Sequence, residues 1–423
     1  MKQKLGIIVT TLLILSIVAF AFPNLVNYTN TCKDIENSTE KFSIASDYPD
    51  LTEIPANTPL QLIQDFEMIH PTSLQFDVGI IWYGYEEERT LDIVDSDHSI
   101  SEVFLFNGTS VIQLTDNNYT EKHFAIQNGK VTWSGFDGHD YEIFVYNGQS
   151  VIQVTDNEGD DQLPQIYNLR LTWTGRPNAS EPYHIYLKIP QDPTHTFDLG
   201  VGTNSHVHGG GVVWESDGEI FLYNGTETIQ LTTNTLEDRN PRIYNNLVCW
   251  EGNDGNDLEI FLYNETVQNV TRNSFIDTNP MIDDLLVWYS YDGEDDEVCL
   301  YGSDKTKKIT NNRYNDSWIR TDNRIIAWQV DDGDAFDIMC YDHTLQYPVF
   351  RITDNETHNN YCPDVYNRII TWVRSNSIYV FRLNTSQFST LLEPGWDLMH
   401  VGTMSVAIVG IVALVILTWI RED

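Results

Sequence analysis

Acidic turns that recur after tryptophan residues are the strongest candidates for metal chemistry in this sequence. An Asp-Gly pair begins four residues after a Trp, and three of the four turns carry a second Asp three residues later. These positions are Asp137 with Asp140, Asp254 with Asp257, Asp292 with Asp295, and Asp332. Hard cations require several oxygen ligands, often from a tight loop that contains glycine. Because Asp-Gly is also an ordinary hairpin turn, calcium stays an open alternative, and we expect no large calcium requirement for folding.

Two histidines, His206 and His208, form a second candidate, since an extended strand would place both on one face. Two imidazoles are too few for a closed metal site, and no third histidine occupies a matching repeat position. The G-x-S-x-G turn of serine hydrolases does not occur in the chain. The sequence therefore favours a protein without catalytic residues and without a cofactor, although it does not exclude an enzyme.

A repeat supplies the elements that must position these residues. A short apolar strand ends at a tryptophan eight times, at Trp82, Trp133, Trp173, Trp214, Trp250, Trp288, Trp328 and Trp372. The seven intervals cover 290 residues, so the period is about 41 residues, which is typical of a four-stranded propeller blade. The sequence predicts an all-β, eight-bladed β-propeller. Seven blades are the alternative, because 51 residues separate the first two tryptophans.

The fixed place of the tryptophan in each unit predicts a residue that packs between neighbouring blades. Cys249, Cys299 and Cys340 lie in apolar runs, where we expect small core residues. A closed ring also needs its first and last blades joined. We therefore expect the strand near Leu60 to pair with the outer edge of the blade that bears Trp372, with residues 388–394 as the competing strand.

The repeated unit resembles a known family. The pattern W-x-x-x-D-G-x-D-x-E-I-F-x-Y-N, a strand ending in L-T-x-N and a Pro-led strand are similar to the TolB-like (WD40-like) β-propeller repeat over residues 59–392. The resemblance implies a propeller fold. Because such propellers include metal-dependent uronate lyases with histidines at the central pocket, it also implies an axial site as an alternative for His206 and His208. The usual S-P-D-G turn is replaced by Tyr-Asn-Asn or Asp-Asn-Arg, and no TolB-like α/β domain is recognised before the repeat.

Both ends of the chain are predicted to meet a membrane. Residues 1–22 combine Lys2 and Lys4 with an uncharged run, which indicates a signal peptide or an uncleaved signal anchor. Residues 401–420 form a run of 20 residues without a charge, followed by a tail at 421–423. That length matches a transmembrane helix. The positive-inside rule places the linker 23–58, the propeller 59–392 and the juxtamembrane linker 393–400 outside the cell.

Other features agree with an exported protein. Cys32 and Cys362 are a disulfide candidate in an oxidising compartment. The formal net charge of −38 disfavours nucleic acid and anionic lipid as partners. N-x-[ST] triplets, which are candidate glycosylation sites, begin at Asn27, Asn37, Asn107, Asn118, Asn178, Asn224, Asn264, Asn269, Asn315, Asn355 and Asn384.

Taken together, these patterns predict a binding or structural module at the cell membrane. The propeller would lie on the extracellular side, held by its C-terminal helix, and its partner would be an extracellular protein or glycan. The alternative is a surface carbohydrate-active enzyme, a lyase or a hydrolase, with its site on the propeller axis. Convergence of His206, His208 or several carboxylates at the axis would favour the enzyme.

Overall fold

A computed structural model describes residues 43–44, 59–63, 69–84, 101–302, 305–345, 348–353, 358–375 and 377–383. The hydrophobic segments 1–22 and 401–420 lie outside these residues. Within the described part of the chain, no helix is long and apolar enough to cross a membrane. The same part contains β-strands and turns only, as the alternation of apolar and polar residues predicts.

The strands are numbered along the chain. Those before and within the first four blades are β1 (Ser43–Ile44), β2 (Leu60–Ile63), β3 (Ile69–Phe76), β4 (Ile80–Gly84), β5 (Glu102–Phe106), β6 (Val111–Gln113), β7 (Lys122–Gln127), β8 (Lys130–Phe136), β9 (Tyr141–Tyr146), β10 (Val151–Gln153), β11 (Asp161–Tyr167), β12 (Arg170–Gly175), β13 (His184–Ile189), β14 (Asp192–Val201), β15 (Thr203–His208), β16 (Gly211–Ser216), β17 (Glu219–Tyr223) and β18 (Thr228–Gln230). Those of the last four blades are β19 (Asp238–Tyr244), β20 (Leu247–Asn253), β21 (Leu258–Asn264), β22 (Thr266–Asn269), β23 (Ile276–Ile282), β24 (Leu286–Tyr291), β25 (Asp296–Gly302), β26 (Lys305–Lys308), β27 (Asn315–Asp322), β28 (Ile325–Asp331), β29 (Phe336–Asp342), β30 (Val349–Arg351), β31 (Asn360–Tyr366), β32 (Ile369–Arg374) and β33 (Ser377–Arg382).

These strands form eight antiparallel sheets, which we number as blades 1 to 8 in the order of their tryptophans. Each blade runs in chain order from an inner strand, as in β19–β20–β21–β22. The inner strands are β3, β7, β11, β15, β19, β23, β27 and β31, and each contacts the inner strands of both neighbouring blades. Contact between β3 and β31 closes the ring. The prediction of eight blades is confirmed, and the alternative of seven is wrong.

Ring closure follows the predicted route. Strand β2 pairs with β33 at the outer edge of blade 8, with Leu60 opposite Val380 and Ile63 opposite Ile378. Blade 8 is therefore built from three late strands and one early strand. The competing strand at 388–394 lies outside the described residues. Strand β1 adds a fifth strand to the outer edge of blade 1.

Each tryptophan packs between its own blade and the preceding one. Trp250 lies in a cluster with Val213 and Leu222 of blade 4, and Trp82 lies in a cluster with Val373 of blade 8. The eight tryptophan side chains are 0–2% exposed. Burial of such large aromatic surfaces dominates core energetics, so the inter-blade role is confirmed. Cys249, Cys299 and Cys340 are buried in the same layers, also as predicted.

A buried hydrogen bond fixes the indole in five of the blades. In blade 5 the Nε1–H of Trp250 donates to Oδ1 of Asp238 at 2.9 Å, and Asn234 donates to the other oxygen of that carboxylate at 2.5 Å. The same bond joins Trp173 to Asp161, Trp288 to Asp277, Trp328 to Asp316 and Trp372 to Asn360. A buried indole N–H without an acceptor would be costly, so these four aspartates and Asn360 belong to the core.

Candidate functional site

A β-bulge in the inner strand brings one residue per blade to the axis. Seven inner strands contain a positive-φ residue at the same place, for example Asn240 with φ 53° in β19. Pairing with the second strand is interrupted at the bulge. It resumes at the next paired residue, as at Arg242 opposite Cys249. In seven blades that residue lies opposite the one just before the tryptophan; in blade 1 pairing resumes one residue earlier, at Leu74, and Gln75 takes the equivalent place opposite Ile81. These eight residues, the axial ring, are Gln75, Ala125, Gln165, His206, Arg242, Met281, Arg320 and Asp364.

Two arginines stand in the axial ring, in blades 5 and 7. The Nη1 of Arg242 donates to its neighbouring carbonyl, Pro241 O, at 2.9 Å, and no other hydrogen bond or ion pair of its guanidinium occurs among the described residues. Arg320 likewise donates Nη1 to Ile319 O at 2.9 Å, and its Nε lies 3.9 Å from Oδ1 of Asp364. Because a guanidinium carries five N–H donors, both groups keep donors available to a ligand.

The two guanidinium groups repel each other within the ring. Burial lowers the pKa of Arg242, and Arg320 acts in the same direction. Glu215 and Glu251 act on Arg242 in the opposite direction, but neither forms an ion pair with it in the described part of the chain. A positive centre of this kind is notable in a chain with 62 acidic and 24 basic residues. An anion bound between the arginines would relieve the repulsion.

Other members of the axial ring join neighbouring blades. The Nδ1 of His206 accepts the backbone N–H of Ile243 at 3.3 Å, and Oδ2 of Asp364 accepts the N–H of Phe76 at 2.7 Å. Burial, followed by the charge of Arg242, lowers the pKa of His206 to about 3. His206 is therefore neutral at neutral pH, as its acceptor role requires. Burial raises the pKa of Asp364 to about 6, while Arg320 lowers it.

His208 is the last residue of the inner strand β15 and lies next to the turns that follow the inner strands. Its imidazole packs between Tyr167 and Tyr244, with ring centroids 4.1 Å and 4.5 Å away, and its Nδ1 accepts the N–H of Asn245 at 3.1 Å. Both candidate histidines thus contact blade 5 through Nδ1. Among the described residues, no cluster of three metal-ligand side chains includes a histidine.

The same turns carry acidic residues at this mouth of the axis. Asp283 accepts the N–H of Asn323 at 2.7 Å, and Asp322 accepts that of Asn367 at 2.7 Å. Burial raises the pKa of Asp322 to about 6, and Asp283 and Asp364 add to that rise. The mouth turns are therefore linked from blade to blade, with a negative rim outside the two axial arginines.

The predicted acidic residues lie in the turns between the second and third strands, at the opposite end of the blades. Asp137, Asp254 and Asp292 each begin a turn whose backbone N–H donates to the carbonyl of the second Asp three residues later, at 3.1–3.2 Å. Asp332 begins the matching turn of blade 7, and its Oδ2 lies 2.5 Å from Nη2 of Arg351. Asp140, Asp257 and Asp295 therefore stand where the third strands begin.

The remaining predicted residues are distributed over the surface and beyond. Asn107, Asn118, Asn224, Asn264 and Asn315 are exposed, whereas Asn178 and Asn269 are partly buried. Cys362 is buried in β31. Cys32 and the triplets at Asn27, Asn37, Asn355 and Asn384 lie outside the described residues, so the Cys32–Cys362 disulfide stays a prediction.

Comparison with known proteins places these features in context. No family model and no curated protein matches the chain. A solved prolyl endopeptidase is 10% identical with a TM-score of 0.51, covering 73% of this chain, which spans 55% of that protein's length. The propeller domain of the Trilobed protease from Pyrococcus furiosus is 10% identical with a TM-score of 0.48, covering 69% of this chain and 96% of its own. TolB from Acinetobacter baumannii is 11% identical with a TM-score of 0.33, covering 48% of this chain and 57% of its own.

The chain is an eight-bladed β-propeller. The resemblance to the TolB-like repeat is thereby confirmed as a likeness of fold. The identities are too low to carry an activity from any of these proteins to this chain. What the propeller does must be argued from its own residues, and the residue types of the axial ring differ from blade to blade.

Proposed function

We propose that this protein is a binding propeller at the cell surface, and that it recognises a carboxylate group of an extracellular ligand in the axial ring. The observation that carries this proposal is the pair Arg242 and Arg320, whose guanidinium groups keep unused donors and repel each other electrostatically. Guanidinium and carboxylate match in a planar, bidentate geometry. Gln165, in the same ring, offers an amide to neighbouring hydroxyl or carbonyl groups.

A ligand of this kind is an acidic glycan or an acidic peptide, of which the glycan is the first to test. Uronate sugars combine a carboxylate for the arginines with hydroxyls for Gln165. The acidic rim formed by Asp283 and Asp322 would repel a polyanion approaching that mouth, so we expect the ligand to enter from the opposite end of the axis.

The test is a titration of the purified full-length protein with uronate oligosaccharides and with neutral oligosaccharides of equal length. We expect binding of the acidic series only. Arg242→Gln or Arg320→Gln removes charge-assisted hydrogen bonds of about 1.5–3 kcal/mol, and thus should weaken binding about 10- to 150-fold. Arg272→Gln is the control, because it removes one positive charge from an exposed position. Equal affinities for all variants would overturn the axial site.

The same titration addresses the enzyme alternative. A surface lyase or hydrolase would shorten the oligosaccharides during incubation, and chromatography of the mixture would reveal the products. Intact oligosaccharides together with saturable binding would support the binding module.

The cell-surface location is part of the proposal and has its own test. Lys2, Lys4 and Arg421 flank the two uncharged segments, which favours an outside propeller and an inside C-terminus. Protease added to intact cells should remove the propeller and spare a C-terminal tag. Loss of the tag with survival of the propeller would reverse this topology.

A further inference from the structure

Three acidic turns gather carboxylates more closely than hairpin formation requires. In each, three carboxylate oxygens lie within 4.8 Å of one another. A third-strand glutamate that the sequence pattern did not single out completes each group. The groups are Asp137, Glu142 and Asp156 in blade 2, Asp254, Asp257 and Glu259 in blade 5, and Asp292, Asp295 and Glu297 in blade 6. Ligands on opposite sides of one Ca²⁺ ion, with Ca–O distances of about 2.3–2.6 Å, would be about 5 Å apart.

Several buried oxygens in the blade 5 group have no hydrogen-bond partner. Glu259 is 0% exposed; its Oε1 accepts the N–H of Asn273 at 2.8 Å, whereas its Oε2 accepts no hydrogen bond from any described residue. Within the described part of the chain, Oδ1 of Asp257 and Oδ1 of Asn269 are also buried without a hydrogen-bond partner. Blade 2 repeats the arrangement, since Oε2 of the fully buried Glu142 also has no hydrogen-bond partner among the residues that the structure describes. Buried, unpaired acceptors of this kind are costly unless a cation reaches them.

Blade 7 shows where a positive charge belongs in this arrangement. Arg351, in the outer strand β30, contacts both Asp332 and Asp337, the counterparts of Asp254 and Glu259. It lies opposite Met339, two residues after Asp337. The protein thus neutralises the blade 7 turn with its own guanidinium.

The outer-strand position equivalent to Arg351 holds a different residue in blades 2, 5 and 6, which carry the other three acidic turns. In blade 6 it is Lys308, opposite Cys299, and its Nζ lies 2.9 Å from Asp292 and 3.6 Å from Glu297. In blade 5 it is Asn269, opposite Phe261, and in blade 2 it is Gln153, opposite Phe144. Blades 2 and 5 therefore place a neutral amide where blades 6 and 7 place a cation.

We propose that the acidic turns of blades 2 and 5 each bind a divalent, oxygen-preferring cation of the calcium class, at the place that Arg351 occupies in blade 7. The carboxylates of Asp254, Asp257 and Glu259 and the amide oxygen of Asn269 supply ligands in blade 5, and water completes the coordination shell. The competing state is a cluster that holds protons instead of a metal. The sites are separate from the axial ring, so the cation proposal and the proposed function are tested independently of each other.

The first experiment counts ions on the purified full-length protein by calorimetric titration with CaCl₂ after chelator treatment. We expect about two ions per chain, with Kd values of about 0.1–1 mM, the range of extracellular calcium modules. The melting temperature should rise with calcium concentration, because an ion that binds only the folded state stabilises it by mass action. No saturable uptake and no change in melting up to 10 mM, about ten times the upper Kd, would overturn the proposal.

Three variants locate the sites. Glu259→Gln should lower the count by one ion, whereas Asp337→Asn, the matched change in blade 7, should leave it unchanged. Lys308→Gln gives blade 6 a neutral amide at this position, as Gln153 does in blade 2, and should add a third ion. An unchanged count in Glu259→Gln would refute the blade 5 site. Should that variant not fold, the gain expected of Lys308→Gln still decides the matter, because its absence contradicts the exchange of side-chain cation for metal.

Discussion

The tryptophan layer and the axial ring lie on neighbouring strands, yet the residue type is constant in the first and varies from blade to blade in the second. The residue type is the same in all eight blades at the tryptophan position, and each side chain is buried between two sheets. At the axial position, opposite the residue just before the tryptophan, the eight blades carry six residue types. Each of the eight blade interfaces must be filled in the same way, so the same residue recurs. The axis is one surface shared by all blades, and each blade contributes its own residue to it.

The largest effect is expected in the tryptophan layer. Trp250→Ala should reduce the free energy of unfolding by about 3–5 kcal/mol, because it leaves a large cavity and removes the indole donor from Oδ1 of Asp238. Gln165→Ala in the axial ring should change it by about 0.5 kcal/mol. Chemical denaturation of the two variants measures both values. Equal losses would show that the axial ring is also a packing layer and would remove the distinction.

The second effect concerns the one interface that depends on an early strand. Ile63 is 0% exposed and shares a cluster with Trp82 and Val373. Ile63→Asp should destabilise the ring by several kcal/mol, since it buries a charge in an apolar contact between blades 1 and 8. Gln61→Ala, on the exposed side of the same strand, is the control. A melting temperature unchanged by Ile63→Asp would mean that β2 does not hold the ring closed.

The smallest effect is a pH dependence that belongs to the axial ring. Burial raises the pKa of Asp364 to about 6 from its ordinary 3.8. The folded state therefore binds the proton more tightly than the unfolded chain, so this group favours unfolding at pH 7. Stability should increase as the pH falls from 7 towards 4, by up to about 3 kcal/mol from this residue. Asp364→Asn should remove that part of the slope in unfolding measured across this pH range, and an unchanged slope would contradict the assignment.

The fold was predictable because it rests on repetition. Eight tryptophans at a near-constant interval predict blade number, blade order and the inter-blade position of each indole, and β2 could be placed because its sequence matches other outer strands. The hydrogen bond from Trp250 to Asp238 was not predicted, since an acidic residue twelve positions earlier has no apolar signature. Its recurrence at a fixed distance before several tryptophans was the available signal.

The axial ring escaped prediction for the opposite reason. Arg242, Arg320 and Asp364 share no residue type, and only their common distance of eight residues before a tryptophan connects them. The acidic turns were recognised, but Glu259 and the cation at Lys308 or Arg351 were not. These partners come from other strands of the sheet, and only strand register reveals that they meet.

Ring closure by β2 has a mechanical consequence. After the two-residue β1 on blade 1, the chain joins the ring at Leu60, which lies opposite Val380 of β33, the last described strand. Tension applied through the two flanking segments would therefore act on neighbouring ends of one antiparallel pair. Such a load breaks the hydrogen bonds between β2 and β33 one after another, whereas a shearing load would stress all of them at the same time. Once β1 has separated from blade 1, blade 8 is thus the point at which a pulling force would open the ring.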